Sequence, residues 1–145
     1  YDVTGVQTCA LPIWAGQKKL DAEFIQMDVL DGVFTNDHDV VVCSLFLHHL
    51  QDGDVVSLLG RMASTARHLV VAQDLLRCRW GYLMCLVGSR LITRSPIVHI
   101  DGLLSVASAF TRAEIQQLAE QAGLTDCQIN RHWPERFVLT WKRPL

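Results

Sequence analysis

No glycine–x–glycine triplet occurs anywhere in the 145 residues, so the loop that most often cradles a cofactor pyrophosphate is not in this chain. A G-x-S-x-G elbow and a Y-x-x-x-K pair are also missing, which counts against a hydrolase or a nicotinamide-dependent reductase. The five cysteines form no C-x-x-C pair and sit at no metal-finger spacing. Cys43 and Cys127 fall in apolar or strand-like runs, where a free thiol serves as a small hydrophobe; that usage fits a reducing, cytoplasmic setting. Nothing spans a membrane either, because the longest apolar stretch, 81–87, is far short of the roughly 20 residues a bilayer requires. A formal charge of -2 gives no reason to expect nucleic acid or an acidic membrane as partner. Half of the residues are apolar, enough for one domain, or part of one, to bury a core.

An initiator Met is absent as well, and VTGVQTCALPI at 3–13 has neither helical nor strand periodicity. The string resembles the conceptual translation of a sequencing-adapter oligonucleotide. Residues 1–13 are therefore expected to be non-native and are set aside from fold reasoning, with the natural chain starting near Trp14.

Two segments carry the fold signal. FIQMD at 24–28 and DVVVCSLFLHHL at 39–50 are short apolar runs that end in polar groups. Buried parallel strands have this pattern where their carboxyl ends open into a ligand crevice. Residues 24–27 are expected as a strand closed by Asp28, 31–37 as a connection, and 40–46 as a central parallel strand. Val55, Leu58, Leu59, Met62 and Ala66 then recur at helical spacing over 52–67, with Asp52 or Asp54 as the cap. Residues 68–73 form the next strand, ending at Asp74, and strand–helix–strand order calls for a parallel crossover.

Trp80, Leu83, Met84, Val87 and Leu91 predict a helix over 77–94, stopped by Pro96, with 97–107 a loop around Asp101-Gly102. Thr111-Arg-Ala-Glu114 is a capping box, and its helix ends at Gly123. Two closing strands, 127–133 and 137–142, are joined through Pro134-Glu135, a link that suits only an antiparallel pair.

This ordered set, from Asp28 and the 39–50 run through the capping box to the final hairpin, resembles the class I S-adenosylmethionine (SAM) dependent methyltransferases. The resemblance implies an α/β fold. It would be a partial Rossmann-like sheet equivalent to strands 3–7 of the family's seven, the last antiparallel, with flanking helices. It also implies methyl transfer from SAM to a small, apolar or aromatic acceptor. Asp28 matches the acidic residue that accepts from the adenine amino group, a role suited to an acceptor-only carboxylate, and Val29 would lie against the ring. Cys43, Ser44 and Leu45 match the strand end that passes the methionine part of the cofactor, and His48, His49 and Leu50 match an H-x-L-like segment after it. The family's glycine-rich loop and ribose-binding acid have no counterpart here. Residues 14–145 would then be the carboxyl-terminal two-thirds of the domain, a piece expected to bind SAM poorly and to be inactive by itself.

Adjacent His48 and His49 cannot share a face of a strand and have no further ligand at metal spacing. One of them facing the crevice as a base or substrate contact is the alternative to both capping the strand end. His99 and Asp101 fall where the family places substrate contacts, and are otherwise a solvated turn. Arg77, Arg79, Arg90 and Arg94 with Trp80 and Tyr82 form a basic, aromatic-containing amphipathic helix. It is either an ordinary packed face or a lid over an apolar acceptor, with peripheral membrane contact open and Trp80 toward the substrate. Two other classes stay open on the sequence: another α/β nucleotide-binding enzyme such as a reductase, and a non-catalytic Rossmann-like interaction module.

Overall fold

A computed structural model of the chain describes residues 17–19, 21, 23–25, 27–32, 34 and 38–144. The adapter-like segment 3–13 lies outside them. The chain divides into two compact units, Tyr1–Gly32 and Val33–Leu145.

In the first unit the described residues of the expected strand at 24–27 form no strand. Phe24, Ile25 and Met27 are in no ladder, and Phe24 and Ile25 are 49% and 65% exposed. An apolar run becomes a strand only when a neighbour takes its backbone hydrogen bonds, and none of the described residues pairs with this one. The polar end does order itself. Asp28 Oδ1 accepts from Leu30 N at 2.8 Å and Asp28 O from Gly32 N at 2.7 Å, closing a tight turn. A Cβ at Gly32 would sit 2.4 Å from Asp28 O, so only glycine fits there.

The second unit holds β1 (His38–Ser44), a 3-10 turn (Leu47–His49), α1 (Asp52–Thr65), β2 (Ala66–Leu75), α2 (Arg79–Ile92) and α3 (Pro96–Ser108). It closes with α4 (Arg112–Gln121), β3 (Gln128–His132) and β4 (Arg136–Lys142). The four strands form one sheet in the order β1-β2-β4-β3. β1 and β2 are parallel, across the crossover through α1, while β4 runs antiparallel to both β2 and β3. Register pairs Cys43 with Ala72, Ala72 with Leu139, and Asp74 with Phe137. Residues directly opposite share a face, so Val70, Ala72, Asp74, Phe137, Leu139 and Trp141 all point to the buried side. α1 packs on that side of β1 and β2 and against α4, contributing Val55, Leu58, Leu59 and Met62 to the core.

Local chemistry accounts for most of the boundaries. α1 starts at Asp52 with Gln51 as cap residue and no side-chain cap bond, which corrects the expected capping role. Asp52 and Asp54 instead lie in the first turn, where a carboxylate favours the helix dipole. α4 has the predicted capping box, with Thr111 N donating to Glu114 Oε2 at 2.7 Å and Glu114 N to Thr111 Oγ1 at 3.3 Å. Gly123, at φ +84°, ends that helix in the left-handed conformation.

Two further corrections concern the later segments. Residues 97–107 are helix, not loop. Pro96 disfavours helical backbone just before it, ending α2, and then occupies the first turn of α3, where its missing N–H costs nothing. Gly102 does not break α3; its Cβ would come within 2.9 Å of Cys85 Sγ, so the glycine serves close approach of α2 and α3. The hairpin link is 133–135, shifted one residue from the expected strand ends, with Glu135 at φ 57° completing the turn.

Candidate active site at the strand ends

At the carboxyl end of β1 the chain turns sharply. Leu45 takes φ 53° and its N–H donates to Gln73 O of β2 at 2.9 Å, so the two parallel strands stay joined as the chain leaves the sheet. A left-handed non-glycine residue costs of order 1 kcal/mol and concentrates at functional sites. The 3-10 turn follows, anchored by Leu47, which is 0% exposed. This places His48 directly over the end of β2.

There His48 meets Asp74. The His48 ring Nδ1 lies 2.6 Å from Asp74 Oδ1, and the His48 backbone N–H donates to Oδ2 at 3.0 Å. Leu75 N–H also donates to Oδ1, at 2.6 Å. Asp74 is 0% exposed and His48 only 8%. Burial by itself raises the Asp74 carboxyl, but the bond from the His48 ring, with those from the Leu75 and His48 amides, outweighs it and holds the group below its usual range. An ionised Asp74 accepts, so Nδ1 carries the hydrogen and Nε2 is left with the lone pair. The arrangement can fix a histidine in one orientation and stabilise its imidazolium when Nε2 takes a proton.

Cys43 faces the same side of the sheet. Burial pushes its thiol up to about 11, with the Asp74 charge adding to the effect, so it is a neutral packing group at pH 7. Ser44 and Leu45 are exposed at the strand end. His49 is exposed, its ring centroid 4.0 Å from that of His48.

The structure thus brings Cys43, His48, His49 and Asp74 together. Asp28 and Val29 lie in the first unit, with Asp28 exposed and its Oδ2 bonded to none of the described residues. His99 is on α3, its Nε2 2.8 Å from the carbonyl oxygen of Thr93, the residue that caps the end of α2. Asp101 is exposed on α3, and Trp80 is 59% exposed in the first turn of α2. Asp74 is the residue the sequence reading passed over, treating it only as a strand terminus. Its signal was the mirror of Asp28, a lone carboxylate closing an apolar strand. Among the described residues no group of three or more His, Cys, Asp or Glu is placed to hold a metal ion.

The four-stranded sheet, two parallel strands with an antiparallel strand inserted beside them, superposes on part of several solved structures. The SAM-dependent methyltransferase SibL in its apo form superposes with a TM-score of 0.66 at 14% identity, covering 92% of this chain and 40% of that one. Human N-acetylserotonin methyltransferase in complex with SAM gives 0.58 at 17%, covering 92% and 38%. An O-methyltransferase family 2 protein from Planctomyces limnophilus in complex with apigenin gives 0.56 at 15%, covering 81% and 34%. The fold is that of the SAM-dependent methyltransferases. The chain spans about a third to a half of the length of the solved structures it matches, from 34% to 51%. No protein-family model and no curated protein matches it.

Proposed function

We propose that this sequence is part of a cytoplasmic SAM-dependent methyltransferase acting on a small apolar or aromatic acceptor, with His48 as general base. The observation that carries the reading is the buried His48–Asp74 pair at the carboxyl ends of adjacent parallel strands in a methyltransferase sheet. In open α/β sheets ligands bind beyond those ends. The solved neighbours include proteins complexed with SAM and with apigenin, a small aromatic molecule. The 3–13 string is proposed to be adapter-derived, with further natural chain preceding Trp14.

When bound, SAM supplies a methyl group already activated on a sulfonium. The chain's own residues must hold, orient and deprotonate. Asp28, whose Oδ2 is bonded to none of the described residues, would accept from the adenine amino group, and Val29 would lie beside the ring. Separately, the end of β1, with Ser44 and Leu45 exposed and Cys43 half-buried, would offer backbone to the methionine part. His48 Nε2 takes the proton of an acceptor hydroxyl as its oxygen attacks, and Asp74 balances the positive ring. His49, exposed beside it, contacts the acceptor, and His99, Asp101 and Trp80 border the acceptor's approach. Most of the acceleration comes from positioning two reactants.

The exposed apolar side of the α2–α3 pair also favours peripheral contact with an anionic lipid surface. Leu91 and Ile92 are 81% and 87% exposed, and residues 75–100 contain four arginines and no acidic residue. Among the described residues no helix is long and apolar enough to cross a membrane.

The test is methyl transfer from radiolabelled SAM to a panel of hydroxylated aromatics, by the protein translated from the complete genomic reading frame. His48→Gln should lower kcat by about 10²–10⁴. An unchanged rate would remove His48 from the mechanism.

A further inference from the structure

A cavity of about 360 Å³ lies between α2, α3, the end of β2 and the β3–β4 turn. Its volume is at the small end of the roughly 300–1,000 Å³ typical of ligand pockets, enough for a two-ring skeleton. Leu75, Leu76, Met84, Cys85, Ile92 and Val106 are among the apolar side chains that line it. Met84, Cys85, Gly88, Ser89 and Ile92 recur at helical spacing, so one face of α2 is turned toward the space.

Two polar atoms of this apolar wall are buried without a partner, Ser89 Oγ and Arg136 Nε. A helical serine ordinarily bonds a carbonyl one turn back when it has nothing better, and Ser89 does not. A buried guanidinium N–H without an acceptor is rarer and more costly. Arg136 sits opposite Leu75 in the β2–β4 register, so its side chain is on the cavity side of the sheet with Leu75. Neighbouring Glu135 also lines the cavity, but its carboxylate is already taken by the Arg131 guanidinium and, at 3.1 Å, by the Cys78 thiol. Arg136 Nε therefore has no acceptor among the described residues, while the carboxylate of neighbouring Glu135 is already paired.

We propose that this cavity binds an aromatic carboxylate, its rings held between α2 and α3 and its oxygens paired with the Arg136 guanidinium, with the Ser89 hydroxyl as a second polar contact. Arginine suits the role because its fork meets a carboxylate at two oxygens. Calling this ligand the methyl acceptor rests on the function proposed above; its binding does not.

Gly88 gives a clean way to close the site. A Cβ there would meet nothing within 4 Å, and a leucine suits a helix interior better than glycine, so Gly88→Leu fills the cavity without disturbing the fold. The test is calorimetric titration of the full chain, without cofactor, with 2-naphthoate and its neutral counterpart 2-naphthamide. Naphthoate should bind about tenfold or more tightly than naphthamide, as expected for a hydrogen bond to a charged group. Arg136→Gln should erase that preference while leaving naphthamide unchanged, and Gly88→Leu should abolish binding of both. Equal affinity for the two compounds, no binding of either, or naphthoate binding that survives Gly88→Leu would overturn the assignment. If Arg136→Gln does not fold, the wild-type comparison of the two compounds and the Gly88→Leu variant decide. If the protein translated from the complete genomic reading frame binds naphthoate but not S-adenosylhomocysteine, this site stands and the methyltransferase reading falls, and the reverse result would do the opposite.

Discussion

Asp74→Asn replaces one oxygen of a buried carboxylate with an amide nitrogen and leaves the shape almost unchanged. Asp74 accepts three hydrogen bonds, two at Oδ1 from the His48 ring and Leu75 N–H and one at Oδ2 from His48 N–H. Asparagine can serve the first two with its single oxygen. Its NH₂ then faces the His48 backbone N–H, donor against donor, in a site closed to water. An unsatisfied buried donor costs about 1–3 kcal/mol, and breaking a buried charged pair costs about 3–5 kcal/mol. The effects overlap, so a loss of roughly 3 kcal/mol is expected at pH 7. For a chain of this size that lowers Tm by about 10 °C.

The pH dependence supplies a second check. The folded Asp74 carboxyl is held below its unfolded value, so its contribution is complete above the unfolded pKa of about 3.9. That contribution is lost as pH falls below there toward the folded pKa. Denaturant melts of both proteins should therefore show a gap that is constant from pH 7 to about 5 and narrows below about 4. Equal stability at pH 7, or a gap that does not narrow in acid, would refute the argument.

Cys43, with its thiol pushed up to about 11, should be about a thousandth ionised at pH 8 and resist thiol-exchange reagents until the protein is unfolded. Peptide mapping that finds Cys43 labelled in the native state at an unfolded thiol's rate would contradict its burial. On phosphatidylserine vesicles the chain should sediment with lipid, and Arg79→Glu with Arg94→Glu should release it, at about 1 kcal/mol per basic residue near the surface. Equal sedimentation on phosphatidylcholine would remove the electrostatic reading of the α2–α3 face.

The sheet was legible where period and punctuation agreed. Val41, Cys43, Val70 and Ala72 form short β-branched or small apolar runs with polar ends, and β1 and β2 follow from them. The Thr111–Glu114 box was equally plain, because a cap is a purely local chemical unit. What failed was decided by distant partners. Nothing local tells Phe24 and Ile25 whether a neighbouring strand will take their hydrogen bonds. Asp101-Gly102 carries a turn signal, yet Gly102 is helical because Cys85 of α2 needs the space. Asp74 was not legible for the same reason. His48 stood out through the doublet and the family pattern, whereas its partner lies 26 residues on and meets it only because β1 and β2 are paired in parallel.

The central claim, that these strand ends belong to a SAM site, is tested most directly by calorimetry with S-adenosylhomocysteine. The protein should be the one translated from the complete genomic reading frame, compared with its Asp28→Ala variant. The account predicts one molecule bound per chain, weakened by about 1–3 kcal/mol when the Asp28 carboxylate is removed. No heat at high ligand concentration would contradict the methyltransferase reading outright, and unchanged affinity in the variant would contradict the place given to Asp28.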